Sequence, residues 1–123
     1  MDYSDLTEKI IGCAYRVHNV LGSGFLESVY EKSLIIEIGK SGLSVEAQKS
    51  IDVYYDDHVV GSFFADIIVA NTIIVELKAI RALSPVHEVQ LVNYLAATKL
   101  PVGLLVNFGE FKVEIKRKLL GFL

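Results

Sequence analysis

Three charged residues stand alone in the most apolar part of the chain. Between Val59 and Ile80, which contains FADIIVANTIIVELKAI, the only charged side chains are Asp66, Glu76 and Lys78. Isolated charge in a buried strand is costly, so such groups are normally paired or bound to a metal ion. Glu76 and Lys78 are two apart, and on a strand they project from one face. If Ala70, Asn71 and Thr72 form a loop, Val69 faces Ile73 and Asp66 falls opposite Glu76, with Cβ atoms about 5 Å apart. A two-residue loop would send the two carboxylates to opposite faces. Facing carboxylates repel unless a cation lies between them or one takes a proton. With a lysine beside them they suit Mg²⁺ or Mn²⁺: hard oxygen ligands hold the ion, which activates a water and stabilises phosphoryl charge. The lysine would orient the nucleophile or neutralise the transition state. On the hairpin alone, a structural ion pair between Lys78 and either carboxylate explains the cluster equally well.

The elements that must position these residues are legible in the patterning. From about Asp5 to Leu21, Leu6, Ile10, Cys13, Ala14, Val17 and Leu21 recur at helical spacing, and Asp5 with Glu8 resembles a capping box. Gly22-Ser23-Gly24 breaks the chain, and a second helix is expected from about Phe25 to Lys40, stopped at Gly42. Ile51, Val53 and Tyr55 then share a strand face, with a turn at Asp56-Asp57-His58. Val59–Val69 and Thr72–Ile80 read as strands buried on both faces in the middle of a sheet. Ser84-Pro85 starts a third helix, expected to run to about Ala97. Pro101–Phe108 and Lys112–Lys118 complete the pattern as two strands. The class is α/β, a small mixed sheet flanked by helices.

Composition bounds the rest. The 123 residues fit one domain spanning 1–123, and 52% hydrophobic with 22% charged residues is a globular profile. Twelve Lys+Arg against fifteen Asp+Glu, net −3, argues against a protein that simply coats nucleic acid, but not against an enzyme with a local acidic metal site. Cys13 is the single cysteine, which excludes an intrachain disulfide and a cysteine-based zinc site. The acidic start, Met1-Asp2-Tyr3-Ser4-Asp5, does not read as a signal peptide, and no apolar run is long enough to span a bilayer. A cytoplasmic protein without a membrane partner is expected.

With these residues in view, Asp66…Glu76-Leu77-Lys78 resembles the signature of the PD-(D/E)XK nuclease superfamily, with Ala65 in place of the motif's proline. The chain as a whole is similar to the small GxxExxY protein family within it. The naming motif is present as Gly24-Phe25-Leu26-Glu27-Ser28-Val29-Tyr30, and the likeness runs to about Lys118 through HNVLGSGFLESVYE, IVELKAI, SPVHEVQLVNYL and LLVNFG. The resemblance implies a restriction-endonuclease-like αβββαβ core with an extra N-terminal helix. It implies that Asp66, Glu76 and the Leu77 carbonyl ligate Mg²⁺ or Mn²⁺, that helical Glu27 supports the metal, and that Lys78 assists the attacking water. Gln90-Leu91-Val92-Asn93-Tyr94 is similar to the QxxxY motif of the RecB-like branch, which implies that Gln90 and Tyr94 lie beside the site.

Other residues read more blandly. His18 and His87 are favoured as helix-end residues and His58 as a turn residue. Cys13 reads as core, and Tyr54 and Tyr55 as packing rather than base stacking. Lys112, Lys116, Arg117 and Lys118 are the best phosphate-contacting patch, equally explained as a lysine-protected edge strand. The expected function is a metal-dependent phosphodiesterase acting on DNA, with RNA the lesser alternative. A catalytically silent module for protein or nucleic-acid binding, or a homo-oligomer completing its groove with a neighbouring subunit, are the rivals.

Overall fold

The computed structural model describes residues 3–109 and 111–121. Helix α1 (Tyr3–Leu21) and helix α2 (Glu27–Lys40) precede strands β1 (Val45–Tyr55), β2 (His58–Val69) and β3 (Ile73–Lys78). Helix α3 (Pro85–Thr98) then leads to β4 (Val102–Asn107) and β5 (Glu114–Leu119). The sheet order is β1-β2-β3-β4-β5, antiparallel except for the parallel pair β3 and β4. A parallel pair needs a crossover, and α3 supplies it. The fold is α/β, and from α2 onward it follows the αβββαβ order, with α1 the additional N-terminal helix.

The sheet separates two cores. On one face, Ile10, Cys13, Ala14 and Val17 of α1 and Tyr30, Leu34 and Ile38 of α2 pack with Ile67, Val69, Ile73, Val75 and Leu77. On the other, Leu91 and Leu95 of α3 pack with Ala65, Ile68, Ile74 and Leu105. Gly103 makes this close packing possible, since a Cβ there would lie 2.7 Å from Leu91 Cδ1. Strands covered on both sides read as continuous apolar runs, which is why β3 and β4 carry so little polar character.

Two expectations change in detail. Helix α1 begins before Asp5, which lies inside its first turn, so Asp5 and Glu8 do not form the opening capping box. At α3, by contrast, Ser84 is the N-cap, and its N–H donates to His87 Nδ1 at 3.0 Å. The larger change concerns β2, whose first half is not buried: Val59 is 54%, Val60 62% and Phe64 62% exposed. Strands of 11 and 12 residues outrun the 6-residue β3, so the β1–β2 hairpin continues as an arm beyond its covering layers. Its tip is a two-residue turn with Asp56 and Asp57 both at positive φ, the geometry that matches strand twist.

The arm also turns over. Val45 packs towards α1 and α2, yet Ile51, at the same parity, packs towards α3. Likewise Ile67 belongs to the first core and Ala65 to the second. Side chains two apart on a regular strand share a face, so both strands break alternation at one level, that of Gln48 and Asp66. Gln48 there has φ +50°. Beyond the break, Phe63 reaches α3 and stacks on Tyr94 with ring centroids 3.7 Å apart.

Candidate active site

The β2–β3 ladder is Val69↔Ile73, Ile68↔Ile74 and Ile67↔Val75, the register that a three-residue loop requires. One step further lie Asp66 and Glu76. There regular pairing gives way to side-chain bonds: the Asp66 N–H donates to Glu76 Oε1 at 3.4 Å, and the Leu77 N–H donates to Asp66 Oδ2 at 2.9 Å. The two carboxylates thus meet where β2 and β3 diverge, one tied to each strand's backbone. Glu76 is only 8% exposed. Burial first, and then the adjacent Asp66 charge, push its carboxyl up to about 9. In the absence of a cation this acid carries a proton at neutral pH.

Helix α2 brings a second pair of acids. Burial raises the pKa of Glu27, as do the charges of Asp66 and Glu31, while Lys78 opposes them. Glu31, one turn along from Glu27, accepts a hydrogen bond from Gln48 Nε2 at 2.7 Å, and the same nitrogen lies 3.4 Å from Asp66 Oδ1. On the opposite side, burial and then the Glu76 and Asp66 charges raise the pKa of Tyr94. Asp66, Glu76, Lys78, Glu27 and Tyr94 therefore share one electrostatic neighbourhood at the end of β3. Gln90 is exposed on α3, one turn before Tyr94, and no hydrogen bond draws it to the carboxylates.

The end of β3 is clamped from β4. Asn107 is buried, its Oδ1 accepting from the Ile80 N–H at 3.0 Å and its Nδ2 donating to the Ile80 carbonyl at 2.9 Å and to Glu114 Oε1 at 2.8 Å. The Phe108 N–H donates to the Lys78 carbonyl at 2.9 Å. A Cβ on Gly109 would fall 1.7 Å from the Ile80 oxygen, so only glycine admits this contact. Sequence reasoning had not singled out Asn107, Gln48 or Glu31. The run Asn107-Phe108-Gly109 holds the signal for the first, a buried amide beside an obligatory glycine.

Tyr30 does a different job. Its ring is fully buried and stacks on Phe108 at 4.7 Å, and its hydroxyl donates to the Gly22 carbonyl at 2.6 Å and accepts from the Phe25 N–H at 3.3 Å. It closes the α1–α2 turn and so fixes where Glu27 enters the site. The basic cluster of the last strand is partly spent on structure, since Lys118 pairs with Glu88 of α3 at 2.7 Å.

The donor set is hard oxygen, and a dication between Asp66 and Glu76 would take the place of the proton that their proximity otherwise demands. Among the described residues, no three His, Cys, Asp or Glu side chains converge closely enough to hold an ion as they stand. Also among the described residues, no helix is long and apolar enough to cross a membrane.

Comparison with known proteins places the chain in a family. Among curated proteins no sequence matches the chain. The fold matches the crystal structure of SSO0001 with a TM-score of 0.58 at 21% identity, over 95% of this chain and 59% of SSO0001. The chain thus spans less than two thirds of that protein, and at such identity the likeness is one of fold. The profile of the PD-(D/E)XK nuclease superfamily matches residues 4–118, nearly the whole described chain. The chain belongs to the PD-(D/E)XK nuclease superfamily.

Proposed function

We propose that this chain is a divalent-metal-dependent phosphodiesterase acting on nucleic acid, DNA in preference to RNA, with Asp66, Glu76 and Lys78 at its centre. The observation that carries this reading is the pairing of Asp66 with Glu76, two carboxylates brought together at a strand divergence, one of them buried. A purely structural ion pair would set a lysine against a carboxylate, whereas here two acids are set against each other. Superfamily membership and the charge neighbourhood of Glu27 and Lys78 support the same reading.

Asp66 and Glu76 would hold Mg²⁺ or Mn²⁺, with the Leu77 carbonyl as a further oxygen and Glu27 supporting from α2. Bound there, the ion supplies Lewis-acid polarisation of a phosphoryl oxygen and lowers the pKa of a coordinated water. Lys78 orients the nucleophile and offsets charge that develops on the phosphoryl group. Tyr94, steadied by its stack on Phe63, would line the α3 side, and exposed Gln90 one turn earlier would meet the substrate there in the manner of the RecB-like branch. Within the superfamily, the GxxExxY family is the branch that the Gly24–Tyr30 motif supports.

The test is hydrolysis of single- and double-stranded DNA in Mn²⁺ or Mg²⁺. Wild-type protein should cleave, and Lys78→Ala should lose about 10²-fold or more in rate, the scale for removing a transition-state partner. Cleavage undiminished in Lys78→Ala contradicts the reading. No cleavage by a wild type that binds metal leaves the silent binding module.

A further inference from the structure

We propose that Gln48 is a positioning residue for the carboxylate site, its side-chain amide tying Glu31 of α2 to Asp66 of β2. The inference rests on the metal-site reading above and deepens it. The two hydrogens of the amide face two acceptors, Glu31 Oε1 at 2.7 Å and Asp66 Oδ1 at 3.4 Å. The other Asp66 oxygen accepts from the Leu77 N–H at 2.9 Å. Asp66 thus has a backbone donor of β3 on one oxygen and, at longer range, a side-chain donor of β1 on the other.

The backbone carries the second observation. Gln48 sits at φ +50°, a region that a residue with a Cβ occupies at a cost unless its surroundings impose it. The level at which it does so is the one where β1 and β2 break alternation, between Lys49↔Ala65 and Ala47↔Ile67. The same distortion that turns the arm over brings the amide between α2 and Asp66. A left-handed residue inside a strand, with its side chain bridging two acids, points to a side chain positioned for the site.

The residue type fits the role. A lysine here would neutralise the acids and compete with a cation, and a third carboxylate would add to the repulsion. A glutamine donates to both acids and leaves their charge available. Glu31 enters the site by the same link, one turn from Glu27 on α2.

Gln48→Gly separates the two roles, because glycine accepts positive φ without strain and lacks the amide. Gln48→Glu is the companion: it keeps length but replaces the donor by an acceptor. Mn²⁺ affinity by calorimetry and solvent exchange of the Leu77 amide by NMR are measured on the whole chain. In Gln48→Gly, thermal stability should equal or exceed wild type while Mn²⁺ affinity falls about tenfold, the scale for losing a group that orients a ligand. The Leu77 amide should exchange severalfold faster, because Asp66 is freed. Gln48→Glu should show the same two losses. Mn²⁺ affinity within about twofold of wild type in either variant, or a Leu77 amide as protected as before, overturns the proposal. A wild type that binds no Mn²⁺ overturns the metal reading instead, and the Leu77 amide then decides the Gln48 link by itself.

Discussion

Glu76 shows how a single carboxyl reports on its surroundings. Its pKa is raised in the folded protein and ordinary in the unfolded chain, so folding is opposed wherever the unfolded chain would ionise it. The stability present below pH 4.5 is progressively lost as pH rises towards about 9. Metal-free protein should therefore lose stability across that interval. Glu76→Gln, which keeps shape and removes the ionisation, should be more stable than wild type at pH 8 by about 1–3 kcal/mol and nearly pH-independent there. Urea unfolding at pH 5 and pH 8 checks this. A variant less stable than wild type at pH 8 would mean that the ionised carboxylate is satisfied by groups other than a metal.

The elements place that carboxyl by two devices of unequal visibility. The β2–β3 register was one of two that the sequence left open, and the three-residue loop of Ala70, Asn71 and Thr72, which sets Asp66 beside Glu76, is the one found. The three helices were legible from periodicity and from Ser84-Pro85. Exposure of the β1–β2 arm was not, because Val59, Val60 and Phe64 have the same composition whether or not a layer covers them. Nor was the inversion at Gln48, since glutamine carries no preference for positive φ that a reader could detect. Tyr30 of the GxxExxY motif sits one turn from Glu27, and nothing in the motif shows that its hydroxyl is claimed by the Gly22 turn.

Asn107 and Gly109 form the other device, the clamp on the chain just after Lys78. Asn107→Ala should cost about 1–2 kcal/mol, because it leaves the part-buried Ile80 N–H and carbonyl without their side-chain partner. Gly109→Ala should cost a similar amount by forcing the two backbones apart. As both act on one contact, the double variant should cost clearly less than the sum. Strict additivity in denaturant unfolding would show that the two residues do not share a contact.

At the scale of the molecule, two cores meet on one small sheet, and the site occupies the place where that sheet comes apart. Helix α2 arrives from one side with Glu27 and Glu31, α3 from the other with Tyr94, and the carboxylates lie at the divergence between them. A net charge of −3 is compatible with a nucleic-acid enzyme when acids concentrate where a dication is to bind. Mass action then links metal to fold, so Mn²⁺ at a hundred times its Kd should add about 2.7 kcal/mol of stability. The most direct test is calorimetric titration of the wild type and of Asp66→Ala with Mn²⁺. Saturable binding in the wild type, lost in a folded Asp66→Ala, is the expected result. No binding in the wild type, or equal binding in both, would contradict a metal centre at Asp66 and Glu76.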